Sequence, residues 1–184
     1  MDLLSLIRNK DVAFWPLWSQ QMKKAKDFVE MASLTALRKK ALKVIPAPSA
    51  SLGTLRVAMV GGCTLYPLHD LVESLLLASG YEVSLFVGEF DNYLSEILEP
   101  TSPLYDFKPN IVVVIPSEKR CRYQGKWTDS VELQKEQAQH LVNNLLDLCK
   151  TVHSRTGAEV ILSNFVPSGR FDPGAFRNKS LGTD

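Results

Sequence analysis

From residue 55 to residue 163, short apolar runs alternate with stretches of helical spacing. Segments 55–60, 82–87, 110–115 and 158–163 are the strand candidates. The unbroken Ile111-Val112-Val113-Val114-Ile115 suits a strand buried on both faces. Between the first two runs, Leu68, Leu71, Val72, Leu75 and Leu76 share one face, predicting a helix from Pro67 to Ser79 that stops at Gly80. Before the last run, Ala138, Leu141, Val142, Leu145, Leu148, Cys149 and Val152 form the stripe of a long helix. Asp129 and Glu132 resemble a capping box at its start, and Gly157 lies just past its end. Strands separated by helices imply right-handed crossovers. The expected fold is α/β, a three-layer α/β/α sandwich with a parallel sheet.

The flanks read differently. Residues 1–44 form a helical extension, with Trp18, Met22, Ala25, Val29, Ala32 and Ala36 spaced as one stripe and Pro16 in a first helical turn. Residues 45–54 hold two prolines, two serines and a glycine, the composition of a linker. Residues 55–184 are then the α/β domain. Its tail from Asn164 has no periodic segment, so the architecture is expected to be incomplete at the C-terminus.

Composition narrows the class. The chain has 184 residues, 45% hydrophobic and 22% charged, which excludes disordered and fibrous classes. With 21 basic and 20 acidic side chains, it lacks the basic excess of a nucleic-acid-binding domain. Residues 1–45 nevertheless carry nine basic and four acidic groups. Those charges form either a solvated face or a dock for an acidic partner, with Lys39 and Lys40 beyond the end of the stripe and open to it. Cys63, Cys121 and Cys149 form no CxxC pair, so neither a metal site nor a disulfide framework is expected. No apolar run reaches the ~18 residues of a membrane span. The opening residues lack a signal peptide's basic and apolar regions. A cytoplasmic protein with no membrane association follows.

In an open parallel sheet, ligands gather beyond the carboxyl ends of the strands. The loop Gly61-Gly62-Cys63-Thr64-Leu65-Tyr66 lies there, ahead of a helix whose free N–H groups would point back at Cys63 and Thr64. It reads three ways: a glycine turn with a small buried cysteine, an anion- or substrate-binding turn, or an activated thiol nucleophile. Gly88-Glu89-Phe90-Asp91-Asn92-Tyr93 could line a pocket, although Asp and Asn are also turn residues. Pro116-Ser117-Glu118-Lys119-Arg120-Cys121-Arg122 could clamp an anion or simply be solvated. Asn164, opening the fourth loop, could donate a hydrogen bond into the crevice.

The first of these loops resembles the opening Gly-Asp-Ser block of SGNH hydrolases, with Gly62 at the Asp position and Cys63 at the nucleophile. Val60 to Leu65, Gly88 to Tyr93, Glu96-Ile97-Leu98-Glu99-Pro100, Leu104-Tyr105, Phe107-Lys108-Pro109-Asn110, Gly157 to Ile161 and Asn164-Phe165-Val166-Pro167 together resemble the N-terminal SGNH-like domain of the FkbH-like family. The resemblance covers about residues 55–168 and implies an SGNH- or flavodoxin-like sandwich. It implies a C-terminal haloacid-dehalogenase-type phosphatase domain, where Mg would belong, and a role in loading a three-carbon glyceryl unit onto an acyl carrier protein in polyketide biosynthesis. The phosphatase motif Asp-x-Asp-x-Thr/Val is absent from these residues. Carried over, Cys63 is the candidate nucleophile, while Gly61, Gly62, Thr64, Gly88, Asn92 and Asn164 are candidate substrate-binding positions; no cofactor is expected in this domain. The third-block Gly-x-Asn and the closing Asp-x-x-His are missing, and His69, the histidine nearest Cys63, falls on a predicted helix. A nucleophile without its base loses most of its hydrolytic rate. The resemblance therefore implies a module that binds substrate or the carrier rather than turning it over. A thiol-dependent acyltransferase or esterase using Cys63 is the alternative.

Overall fold

The computed structural model describes residues 2–126 and 128–164. Three helices, α1 (Leu3–Arg8), α2 (Phe14–Lys24) and α3 (Phe28–Ala41), precede the first strand. There follow β1 (Gly53–Gly61), α4 (Leu68–Ser79), β2 (Tyr81–Val87), α5 (Tyr93–Leu98), α6 (Pro103–Asp106), β3 (Ile111–Ile115), a 3-10 turn at Glu118–Cys121, α7 (Val131–Thr156) and β4 (Glu159–Leu162). The strands form a parallel sheet in the order β2-β1-β3-β4, flanked by helices as the three-layer reading expects. The direction of β2 along β1 shows in their ends: Thr54 reaches Glu82 at the start, and the Gly88 N–H reaches the Met59 carbonyl beyond β2's last residue. β4 runs alongside β3 with Ile111 opposite Glu159 and Val114 opposite Leu162.

The strand buried on both faces is β1, not β3. Val57 to Gly61 are all buried, whereas β3 alternates between buried and half-buried positions. Both strands are interior in the order β2-β1-β3-β4, so the difference lies in what covers their faces and not in their place in the sheet.

Local chemistry stops the helices where glycine allows it. α4 ends at Gly80 (φ +103°) and α7 at Gly157 (φ +68°), both left-handed. The start of α7 differs from the expected capping box. Ser130 is the cap, its hydroxyl accepting from the Leu133 N–H at 3.2 Å. Asp129 is turned to the preceding loop, accepting from the Tyr123 hydroxyl (2.6 Å) and the Lys126 N–H (2.7 Å). The stripe of α7 is buried only in its second half, at Leu145, Leu148 and Val152; Ala138 and Val142 are exposed. The helix has 26 residues, roughly 39 Å at its standard rise, and the five residues of β3 extend about 17 Å. Its first half outruns the strands.

The N-terminal stripe is also corrected. Asp27 caps α3 by accepting from the Glu30 N–H at 2.9 Å, and Glu30 accepts from the Lys26 N–H at 3.0 Å. This reciprocal cap ends one helix and starts another, so Val29 is 70% exposed and Ala36 is also exposed. The buried face of α3 is Leu34, Thr35, Arg38 and Ala41. Lys39 is exposed but already ion-paired. Its ammonium donates to buried Asp70 of α4 at 2.6 Å, beside the Arg38–Glu73 pair at 2.5 Å.

The chain divides into two compact units, Met1–Val57 with Leu65–Phe86, and Ala58–Thr64 with the chain from Val87 onward. The first packs α1 to α3 with α4 around Phe14, Trp15, Trp18 and Met22. Trp15 and Trp18 donate their indole N–H groups to Pro46 (2.7 Å) and Leu34 (2.9 Å), so neither buried ring leaves its polar end unmet. β1 begins at Gly53, within the segment read as linker. Residues 165–184, read as an aperiodic tail, lie outside the described residues. Among the described residues no helix is long and apolar enough to cross a membrane.

Candidate functional site

Strand order 2-1-3-4 reverses between β1 and β3, and the crevice at the carboxyl ends of such a pair is where open α/β sheets bind ligands. Two of the predicted loops leave the sheet there. Gly61 is buried at the end of β1, Gly62 is half-buried, and Cys63 and Thr64 are exposed. The Gly62 N–H donates to the Ile115 carbonyl at 2.8 Å, tying the turn to the end of β3. A Cβ on Gly62 would lie 2.5 Å from the Ser117 nitrogen and 2.6 Å from its Cα. Backbone cannot yield as a flexible side chain can. Only glycine fits at position 62.

The Gly88–Tyr93 loop is built around Glu96 of α5. Glu96 is 8% exposed; its Oε1 accepts from the Glu89 N–H at 2.8 Å, and its Oε2 is buried without a hydrogen-bond partner. Burial pushes this carboxyl above the ordinary range, the Glu89 N–H opposes the shift, and the Glu89 charge adds to it. A Cβ on Gly88 would meet the Glu96 carboxyl carbon at 2.9 Å. Asn92 is half-buried at the start of α5, where its side chain makes no capping bond. Asn164 is exposed just beyond β4.

Arg120, in the loop after β3, grips Asp91 with two parallel bonds, Nε to Oδ1 at 3.0 Å and Nη2 to Oδ2 at 2.9 Å. The charged third loop thus clamps the second loop's own carboxylate. The Arg120 hydrogen bond holds Asp91 below the usual carboxylate range. Tyr93, 1% exposed, has its hydroxyl pushed up by burial and further by the neighbouring Cys121, against a hydrogen bond from the Ser117 backbone. Burial likewise raises the Cys121 thiol. The structure therefore joins the turn after β1 to Ser117, and the 88–93 loop to the 117–121 loop.

Glu96, Tyr93, Ser117 and the Asp91–Arg120 pair are the residues that sequence reasoning missed or misassigned. A carboxylate among apolar neighbours in Tyr93-Leu94-Ser95-Glu96-Ile97-Leu98 is the one local signal that could have marked Glu96.

One expectation about Cys63 is revised. α4 begins at Leu68 with Pro67 as its cap, so four residues separate Cys63 from the helix and it is not a cap residue. Among the described residues no hydrogen bond reaches its thiol, and the histidines are placed elsewhere. His69 Nδ1 lies 3.2 Å from the Leu65 carbonyl and its Nε2 3.5 Å from Asp70 Oδ1. His153 Nδ1 lies 2.9 Å from the Ala158 carbonyl, and His140 is exposed on α7. Among the described residues, no three His, Cys, Asp or Glu side chains gather to hold a metal ion.

The fold and crevice define an α/β protein with flavodoxin-like strand order and a glycine-tight turn at the switch point. No protein-family model matches the chain, and no curated protein matches it in sequence. Among solved structures it is similar to the N-terminal part of the protein BF1531 from Bacteroides fragilis, in a crystal structure containing a phosphatase domain complexed with Mg. Identity is 19% and the TM-score 0.53, over 90% of this chain and 36% of that one. The likeness is one of fold, and this chain spans little more than a third of its neighbour.

Proposed function

We propose that this chain is the SGNH-like N-terminal module of an FkbH-like protein, binding substrate or carrier beside a phosphatase domain rather than turning substrate over. The ordered motifs of residues 55–168 support this reading. So does the fold likeness to part of a protein whose structure contains a phosphatase domain. The observation that carries it is the exposed Cys63 thiol with no hydrogen-bonded base among the described residues. In this reading Gly61, Gly62, Thr64, Gly88, Asn92 and Asn164 line the ligand's approach. Without side chains the glycines let a ligand approach the backbone closely; the Gly62 and Gly88 N–H groups themselves are given to the Ile115 and Met59 carbonyls. Magnesium would belong to the phosphatase domain, and no step here involves it.

The carrier would be an acyl carrier protein bearing a glyceryl-type unit. It is steered by the basic first 45 residues, where Lys40 is exposed and makes no ion pair among the described residues. Three unpaired cysteines suit a reducing cytoplasm.

Exposure of Cys63 favours one second reading, a thiol-dependent acyltransferase or esterase. Cys63 should label with iodoacetamide faster than Cys149, which is half-buried with its thiol pushed up by burial. Short-chain ester turnover separates the two readings. The binding module shows none above buffer, whereas robust turnover abolished in Cys63→Ala establishes the enzyme.

A further inference from the structure

Glu96 is the side chain whose burial the proposed function leaves unexplained. Buried polar atoms are nearly always paired, because losing water without gaining a partner is costly. Its Oε2 is buried from solvent with no hydrogen-bond partner among the described residues, and faces the bare Cα side of Gly88. Its Oε1 holds the Glu89 N–H.

Among the described residues no positive charge acts on Glu96. On the loop, Glu89 is exposed and of like sign, while Asp91 and Arg120 are bound to each other. From α7, the Arg155 guanidinium donates to the Ile97 and Leu98 carbonyls at the far end of α5 and lies over the Tyr105 ring. On α6, Asp106 is exposed and Tyr105 donates to the Ile97 carbonyl. On α5 itself, Tyr93 faces Ser117 and Cys121.

We infer that Glu96 is a proton-operated latch on the Gly88–Asn92 loop: protonated, it sits buried and holds the loop by the Glu89 N–H; ionised, it turns to water and lets the loop go. The two states differ in one proton and one hydrogen bond. The closed loop favours the protonated acid because a charged Oε2 would be stranded without water. By linkage, a proton bound more tightly in the closed state must be released when the loop opens. The sign is fixed: the closed loop is fully populated below the ordinary glutamate value of 4.5 and is lost as pH rises through the raised one. The loop carries Gly88 and Asn92, so pH would govern access to that side of the crevice. The inference does not depend on what the crevice binds.

The test is an NMR titration of the full chain carrying Glu89→Gln, which keeps the N–H and removes that residue's own carboxyl. The Glu96 carboxyl carbon should titrate above 4.5. The residue-89 amide should shift with the same midpoint, and its protection, the intrinsic exchange rate at each pH relative to the observed one, should fall about tenfold across it, as expected of a local opening. Adding Glu96→Gln, which cannot ionise, should abolish the pH response of that amide. A Glu96 midpoint at or below 4.5, or an unchanged amide response in the double variant, overturns the latch. If the double variant does not fold, the two midpoints in the single variant decide. Coincidence supports the latch and separation refutes it.

Discussion

The helical core of the first compact unit and the carboxyl edge of the second are built by different means. In the first, Phe14, Trp15, Trp18 and Met22 are buried among leucines, and the Arg38 guanidinium is 2% exposed against Glu73. In the second, the carboxyl-edge loops are fastened by polar ties: Gly62 to Ile115, Gly88 to Met59, Glu89 to Glu96 and Arg120 to Asp91. Apolar burial is roughly proportional to area and indifferent to direction, so a core of this kind tolerates small shifts. Hydrogen bonds and close backbone approaches fail within tenths of an ångström. A binding edge needs the second kind of construction, because it must hold loop atoms in place without covering them. The difference separates residues that make the protein stable from those that shape its crevice.

The largest effect should come from the first unit. Trp18→Ala removes a ring packed against Phe14 and Trp15 and an indole bond to Leu34, and should cost about 3–5 kcal/mol in urea unfolding. A loss under about 1 kcal/mol, within the ordinary range for surface changes, would break the claim that apolar burial holds this unit. Next comes Gly62→Ala, where the added methyl meets the Ser117 backbone. Overpacking of this kind costs about 1–3 kcal/mol, and the amide signals of Ser117 and Cys63 should move with it. Unchanged stability and spectra would mean the turn has slack the structure does not show.

A smaller effect is expected at Arg120. Its hydrogen bonds depress Asp91, so that ion pair stabilises the fold above the ordinary value of 3.8 and the contribution is lost as pH falls through the depressed value. Arg120→Gln should therefore flatten the acid-side fall in thermal midpoint. An identical acid limb in both proteins would remove the clamp from the comparison.

The smallest change in stability belongs to Lys40→Glu, within about 0.5 kcal/mol, as for exposed substitutions generally. Its use is to test docking. Binding of an acyl carrier protein should weaken at 0.01 M salt, where the Debye length is about 30 Å, and the difference should shrink at 0.15 M, where it is about 8 Å. Lys39→Glu is the poorer probe because it also strips Asp70 of its partner. Equal carrier binding by parent and Lys40→Glu at both salts would return the basic helices to a structural role.

Legibility followed the range of the forces involved. The strands and α4 could be read because β-branched runs, helical spacing and a glycine stop act within a few residues. The break at Asp27 was equally local, an Asp-Phe-Val-Glu cap hidden by an apolar spacing that ran through it. By contrast, nothing near Arg120 in sequence announces Asp91, 29 residues away. A charged run looks the same whether it is solvated or clamped.

By itself, then, the sequence determined the alternation of strand and helix, the parallel sandwich that alternation requires, and the glycine turn that places Cys63 after β1. Each follows from propensities expressed within one element or one crossover. Only the tertiary structure decided that β1 and not β3 carries the unbroken buried run, that Lys39 is bound to Asp70, that Gly62 must lack a side chain, and that Glu96 is buried with one oxygen unmet among the described residues. Those outcomes depend on which distant backbone or charge comes to lie within a few ångströms. Periodicity along the chain carries no record of that.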